Sequence, residues 1–399
     1  MKYLVLRKRP YSGDDPFTEM VAAGGGHDPR LPFEVHSQEL EDRDVGDLRR
    51  DPNVDVVPSI YFTLIKPLDV SSADLGPVGA RAWGIEAVGA GSSPQSGEGV
   101  TVAVLDTGID RTHPAFSGLA FDGENVKDFT VDERGVAGSA VDVDGHGTHV
   151  AATIFGREVN GTRIGVAPGV KKVLIGKVLG PKGGASEAVL NAIEWALQRR
   201  ADVISMSLGV DYPGLVARLV EESRFPEDIA ASRALEAYRS NLRLFDRLAA
   251  LVEARAARGR GALLVAASGN ESRRRDDPRF TVATGPPAAA DGFISVGAVS
   301  QDLAVAPFSN TGCLLAAPGV GILSAKLGGG LVSMSGTSMA TPHVAGVVAL
   351  WTQELFPEGD RPNGWARDVQ RQVESHVVPA PGQIRSDVGL GIVRAPSSR

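Results

Sequence analysis

Four short stretches of this sequence carry side chains whose types and spacing could do chemistry. Asp106 directly follows the apolar run 100–105 (VTVAVL), in Asp106-Thr107-Gly108-Ile109-Asp110. A carboxylate there would emerge at the carboxyl edge of a buried strand. The same position also suits a turn former or helix cap. His146 stands in Asp144-Gly145-His146-Gly147-Thr148-His149, where the flanking glycines allow a sharp turn and a close approach by another chain. A zinc site is disfavoured, because His146 and His149 are three apart. The helical zinc signature needs histidines four apart and a glutamate beside the first. A purely structural His146 is also disfavoured, since two flanking glycines would destabilise the site for no return. Ser338 lies in Gly336-Thr337-Ser338-Met339-Ala340-Thr341-Pro342, a serine leading into a helix with proline in its first turn. The positive end of that helix favours developing negative charge. An ordinary N-cap is the alternative, and Ala340 departs from the G-x-S-x-G elbow. Asn270 ends Ser268-Gly269-Asn270, just past the apolar run 262–266, and its amide could donate to an oxyanion or simply form a turn.

The elements around these stretches repeat one pattern. Apolar runs at 100–105, 172–175, 177–179, 203–208 and 262–266 read as buried strands. Helical patterns at 148–155, 186–198, 232–258 and 341–354 fall between or after them. Alternation of this kind predicts an α/β architecture, with a mainly parallel sheet covered by helices and chemistry at the carboxyl ends of its strands. In the last part of 211–260, Leu235, Tyr238, Leu242, Phe245, Leu248 and Val252 recur at three and four residues, which predicts one helical face.

Residues 1 to about 80 differ in texture. Short β-like runs at 3–6, 33–35, 54–57 and 61–65 and a short helix at 44–50 predict a small α+β unit. Gly24–Gly26 reads as a loop, and 67–80 (PLDVSSADLGPVGA) reads as a linker. The composition excludes several classes. With 41 basic against 48 acidic residues the net charge is −7, which argues against a general nucleic-acid binder. A single cysteine, Cys313, excludes an internal disulfide framework. The apolar run 3–6 is too short for a signal peptide and is followed by Arg7, Lys8 and Arg9. No run approaches the roughly 20 apolar residues of a membrane span. The expectation is a cytoplasmic protein without membrane or nucleic-acid partners.

Taken together, the stretches give the order Asp…His…Asn…Ser, each in its own glycine-containing signature. From about residue 83 to about 395 the chain resembles the subtilisin-like serine proteases, the subtilases. The resemblance implies a three-layer subtilisin-like fold and a serine endopeptidase acting through an acyl-enzyme. Ser338 would be the nucleophile, His146 the general base and acid, and Asp106 the group that orients and stabilises His146. Asn270 and the Ser338 backbone N–H would form the oxyanion hole. A peptide substrate would lie as an added strand between Gly183-Gly184-Ala185 and Ser207-Leu208-Gly209. Gly285 would leave the primary side-chain pocket deep and uncharged, favouring large apolar residues before the cleaved bond.

The resemblance also implies that residues 1–80 are a propeptide-like chaperone and intramolecular inhibitor, self-cleaved within about 65–81, and that 81–399 form the catalytic domain. Two departures stand out. About 25 extra residues at 211–237 form a helical insertion next to the expected substrate edge, with a role in bordering the cleft as one expectation. The family's calcium ligands are poorly matched: His113-Pro114 is followed by Ala115, and 156–163 (GREVNGTR) lacks the asparagine-rich pattern. No cofactor is expected for the chemistry, and structural calcium elsewhere in the chain stays open. Two alternatives remain, a catalytically silent scaffold and a protease activated by a regulatory protein partner.

Overall fold

The computed structural model describes residues 2–8, 33–71, 80–132 and 134–397. The loop read at Gly24–Gly26, and residues 72–79 of the expected linker, lie outside the described residues. In the N-terminal unit, β1 (Lys2–Lys8) pairs antiparallel with β2 (Phe33–Glu39) and with β3 (Val54–Pro58). Helix α1 (Asp42–Leu48) lies between β2 and β3 in the chain. Tyr3 and Val5 point to one face of this sheet, toward Val45, Val54 and Val56. Leu4 and Leu6 point to the other and join the larger core.

The chain then leaves this unit. Strand β4 (Tyr61–Leu64) pairs with none of β1–β3, and β5 (Leu68–Ser71) follows it. After α2 (Trp83–Ala87) come β6 (Thr101–Asp106), β7 (Val126–Asp128), β8 (Val136–Ala137) and α3 (His146–Phe155). Next are β9 (Lys172–Lys177), β10 (Gly184–Ala185), α4 (Ser186–Gln198), β11 (Val203–Met206) and β12 (Leu208–Val210). Helices α5 (Tyr212–Glu221) and α6 (Glu227–Ala256) precede β13 (Leu263–Ala267) and β14 (Phe293–Val299). The chain closes with β15 (Leu315–Pro318), β16 (Ile322–Ala325), β17 (Leu331–Ser335), α7 (Thr337–Leu355), α8 (Trp365–Ser375), β18 (Val377–Val378), α9 (Arg385–Val388) and β19 (Ile392–Val393).

Ten strands form the main sheet in the order β18-β19-β15-β14-β13-β11-β6-β9-β7-β8, parallel except at its two outermost pairs. It is the α/β three-layer architecture expected from the alternating runs. Residues of β6 alternate between two cores. Val102 and Val104 pack on the side of α3 and α7, while Ala103 and Leu105 pack on the side of α4 and α6. The apolar run 203–208 does not form one strand. It breaks at Ser207, β11 staying in the main sheet and β12 leaving it to pair with β4.

Helix α6 runs unbroken for 30 residues, about 45 Å at about 1.5 Å per residue. Its buried stripe is the predicted one in the C-terminal half, through Phe245, Leu248 and Val252 together with Leu244. In the N-terminal half it runs instead through Ala230, Ala234, Ala237 and Asn241, and Leu235 is 47% exposed. The small residues let the N-terminal unit approach closely. The Asn241 side chain is then buried there, donating to Pro58 O at 2.8 Å and Ala237 O at 2.9 Å.

The loop after α3 is pinned by a cation. The Arg157 guanidinium donates to the backbone oxygens of Phe155 (2.9 Å), Val170 (3.1 Å) and Pro168. Arg157→Met keeps the apolar stem and leaves these carbonyls without their donor. The expected loss is about 1–2 kcal/mol, moderated by partial exposure. Calorimetry should show a lower apparent Tm, and an unchanged Tm would show that water replaces the guanidinium without penalty.

Candidate active site

Parallel strands bring several predicted residues to one sheet edge. Asp106 is the last residue of β6, held between β9 and β11. Ser207 follows β11, and Ser268-Gly269-Asn270 follows β13. His146 is the first residue of α3. Its Nδ1 lies 2.8 Å from Asp106 Oδ1, with both side chains buried. The same oxygen accepts from Thr107 N at 2.7 Å. Among the described residues Asp106 Oδ2 and His146 Nε2 have no hydrogen-bond partner, and this ring nitrogen faces away from the carboxylate that orients its opposite side. Burial pushes the His146 pKa down, but the Asp106 carboxylate, its hydrogen bond and the charges of Asp144 and Asp142 outweigh that and raise it. His149, the second imidazole of the motif, serves elsewhere. Its Nε2 lies 3.0 Å from Ile322 O, and burial pushes its pKa down to about 3.

The sequence reading missed the residue that joins β6 to α3. Asp142 is a buried carboxylate that accepts five hydrogen bonds. Oδ1 receives Thr107 Oγ1 (2.9 Å), Asp144 N (3.0 Å) and Gly145 N (2.9 Å). Oδ2 receives Thr148 N (2.9 Å) and Thr148 Oγ1 (2.6 Å). Thr107 Oγ1 in turn accepts from Gly147 N at 2.9 Å, tying the residue after Asp106 to the residue after His146. Burial pushes the Asp142 pKa up, but these donors more than reverse it and hold the group ionised. A Cβ on Gly147 would collide with Gly108 O, so the close packing of the two segments requires glycine there. The available signal was an aspartate four residues before His146 in a glycine-rich turn.

Ser338 is the second residue of α7 and is fully buried. Pro342 falls later in the helix than predicted, four residues beyond Ser338. Its missing N–H leaves the Ser338 carbonyl without a helical donor, and Ser207 Oγ fills the place at 3.2 Å. Asn270 Oδ1 accepts from Thr337 N and Thr337 Oγ1, each at 2.9 Å, which fixes the amide and aims Nδ2 outward. The approach is close: a Cβ on Gly336 would stand 2.9 Å from that nitrogen.

Residues of the N-terminal region fill the cleft between these groups. Strand β4 lies between β10 and β12, antiparallel to both, with Phe62 opposite Gly184, Thr63 opposite Gly209 and Leu64 opposite Leu208. Ala185 faces Tyr61. Gly183 lies outside the ladder, and a Cβ there would collide with Phe62 O. Ser207 also lies outside it. Ile65 packs over Gly209: a Cβ at Gly209 would stand 3.3 Å from Ile65 Cδ1. Ser338 Oγ donates to Ile65 O at 2.9 Å, and Asn270 Nδ2 donates to Lys66 O at 3.1 Å. Beyond Pro67 the segment read as linker is a strand, β5 pairing antiparallel with β17 through Leu68 opposite Ser335 and Ser71 opposite Ser333. The free edge of β17 overrides the local loop-like composition. Near Gly285 the open side faces Tyr238, whose hydroxyl would stand 3.5 Å from a Cβ at Gly285. Tyr238 comes from α6, at the border of the extra segment. Cys313 is buried, and burial pushes its thiol up to about 12, so it has no nucleophilic role.

A buried Asp–His pair, a serine at a helix start and an asparagine amide beside it thus lie at one edge of a mainly parallel sheet, in the chain order Asp, His, Asn, Ser. Residues 97–389 match the model of the subtilase family. The chain is 36% identical over 258 residues to the major intracellular serine protease of Bacillus subtilis (strain 168), covering 64% of this chain and 68% of the relative. It is 37% identical over 260 residues to the intracellular serine protease of Paenibacillus polymyxa, with the same coverage of 64% and 68%. It is 29% identical over 376 residues to subtilisin-like protease 6 of Trichophyton rubrum, covering 88% of this chain and 76% of the relative. The chain belongs to the subtilase family of subtilisin-like serine endopeptidases.

The calcium position that the family raises does not fit the residues present. Ala115 is buried where a carboxylate would be needed, and the adjacent His113 is spent on Gly330 O at 2.8 Å and Ala115 N at 3.1 Å. The carbonyls around residues 155–170 are gripped by the Arg157 guanidinium. Among the described residues, no group of three or more His, Cys, Asp or Glu side chains could hold a metal ion.

Two predictions follow from this geometry. Asp142→Asn puts an amide N–H against backbone donors and loosens the β6–α3 junction. The expected result is a kcat lower by roughly 10- to 100-fold with KM nearly unchanged, read by steady-state kinetics beside a circular dichroism check of folding. Loss confined to KM would contradict the positioning role. Asp144→Asn removes an exposed negative charge that raises the His146 pKa. The expected role of His146 as base needs the unprotonated ring, so the expected activity rises as pH climbs through its pKa. The acid limb of the kcat/KM profile should therefore move to lower pH in Asp144→Asn, and a move to higher pH would contradict the assignment.

Proposed function

We propose that this chain is a proenzyme form of a serine endopeptidase. Residues 1–80 act as its propeptide-like inhibitor and 81–399 as its catalytic domain. Ser338 is the nucleophile, His146 the proton acceptor and donor, Asp106 its orienting carboxylate, and Asn270 with the Ser338 N–H the oxyanion donors. The observation that carries this reading is the strand 61–64 seated between the two cleft edges, with the Ser338 hydroxyl on Ile65 O.

The steps use protein groups alone. A substrate strand pairs with Gly184-Ala185 on one side and Leu208-Gly209 on the other, which places one carbonyl carbon over Ser338 Oγ. His146 Nε2 takes the Ser338 proton as Oγ attacks. Asp106 stabilises the imidazolium through Nδ1, and Asn270 Nδ2 receives the developing oxyanion. The C–N bond breaks, and the proton passes from His146 to the leaving amine. Water then repeats the sequence on the acyl-enzyme, with His146 again as base. Main-chain pairing makes sequence selection broad, and the packing of Ile65 over Gly209 favours a large apolar residue before the cleaved bond. The names of two relatives, both intracellular, support a cytoplasmic setting.

The tail is not gripped as a reacting substrate would be. Ser338 donates its proton to Ile65 O instead of to His146 Nε2, and Asn270 holds the next carbonyl, Lys66 O. Nucleophile and oxyanion donor therefore serve successive residues, and no single carbonyl is presented to both. This supports a second reading, in which the tail stays uncut until a partner or a one-residue slip re-registers it.

Intact mass of purified wild type beside Ser338→Ala separates the readings. Self-processing predicts loss of residues 1–65 in wild type and a full-length mutant. Full-length, inactive wild type favours the partner-triggered form, and equal truncation of both proteins would sink self-cleavage.

A further inference from the structure

The inserted helix places a cation on the path of the cleft strand. Arg218, in the last turn of α5, lies over the Tyr61 ring, 5.4 Å from its centroid. Tyr61 is 51% exposed, so its ring is not held by core packing. Its backbone is nonetheless fixed in register opposite Ala185. Alternation along β4 then sends Phe62 inward, fully buried with its ring edge-on to Phe245 at 5.6 Å, and Tyr61 outward beneath α5.

Helix α5 is itself fixed. The Asp211 side chain caps it through Gly214 N at 2.9 Å, and β12 leads straight into that cap. Tyr212 Oη donates to Ala231 O at 3.2 Å, and its ring meets Tyr238 edge to face at 6.0 Å, locking α5 to α6. Among the described residues, Arg218 forms no ion pair. Once the tail leaves, a guanidinium face stays exposed at a set distance along the cleft.

We propose that Arg218 is a specificity-determining residue. It receives an aromatic side chain four residues before the residue that Ser338 engages, as Tyr61 stands to Ile65. The inference rests on the protease reading and on the tail marking the substrate path. A guanidinium over an aromatic face at an exposed site is worth roughly two- to fivefold in affinity.

The test uses the processed enzyme and quenched-fluorescence peptides that share Phe-Thr-Leu-Ile before the cleaved bond, preceded by Tyr, Ala or Glu. The expected result is a roughly two- to fivefold higher kcat/KM for Tyr over Ala, carried in KM. Arg218→Gln should erase that ratio and leave the Ala peptide unchanged. Equal turnover of Tyr and Ala peptides by wild type, or a Tyr preference that survives in Arg218→Gln, overturns the proposal. So does a Glu preference above Tyr. Failure to cut any peptide refutes the protease reading itself, whereas cutting without discrimination refutes only the subsite. A second readout needs no turnover. In full-length Ser338→Ala, Tyr61→Ala and Arg218→Gln should each speed amide exchange of residues 61–64, and the pair together should do no more than either alone. Additive effects would show that the two side chains act separately.

Discussion

A carboxylate and an imidazole are held 2.8 Å apart with almost no access to water, and much of the surrounding chain serves to keep them there. Burying an ionised carboxylate costs several kcal/mol unless it is paired and hydrogen-bonded. Among the described residues Asp106 receives only Thr107 N and the His146 ring, and one of its oxygens has no partner. Its place is therefore enforced from behind, by parallel pairing of β6 on both sides and by the Asp142 hub that fastens Thr107 to the first turn of α3. Among the described residues the second Asp106 oxygen is without a partner, a local cost, whereas both oxygens of Asp142 are satisfied. At Ser338 a lost donor is replaced. A proline inside the helix removes one backbone donor, and Ser207 from the opposite cleft edge takes up the freed carbonyl.

The cleft that these groups line is built to accept a strand, and the N-terminal region supplies one. Strand β4 completes a three-stranded sheet with β10 and β12, while β5 continues along β17 on the far side of Ser338. Backbone pairing is indifferent to side-chain identity, and the side chains of the tail meet the walls at three places: Gly209 under Ile65, Phe245 against Phe62 and Arg218 over Tyr61. Helix α6 joins these functions. It carries Phe245 and Tyr238 toward the cleft, and through Asn241 it holds the carbonyl of Pro58, the last residue of the N-terminal sheet.

The parallel sheet was legible because its strands are short apolar runs ending in Gly, Asp or Asn, with helices between them. The order of Asp106, His146, Asn270 and Ser338 was legible because each sits in a glycine-marked turn at a strand or helix end. The gaps have physical causes. Asp142 shares the glycine-rich turn of His146, but its role lies in hydrogen bonds to Thr107 and Thr148 that the turn itself does not announce. The strand 68–71 reads as a linker because its pairing partner is more than 250 residues away in the chain. The first half of the α6 stripe was misplaced because Ala230, Ala234 and Ala237, not the larger Leu235, face the core there, and Asn241 is buried after them. Ser207 breaks an apolar run that periodicity alone would continue.

The register of the tail in the cleft is the point on which the proposed mechanism and its restraint both depend. Tyr61 faces Ala185 in an antiparallel pair, where opposed Cα atoms come within reach of a disulfide. The one native cysteine is buried and does not interfere. In full-length Ser338→Ala carrying Tyr61→Cys and Ala185→Cys, mild oxidation should close an internal disulfide, read by intact mass and peptide mapping. The shifted pair Thr63→Cys and Ala185→Cys should stay reduced. Closure of the shifted pair in place of the first, or of neither, would contradict the placement of residues 61–71 through the cleft.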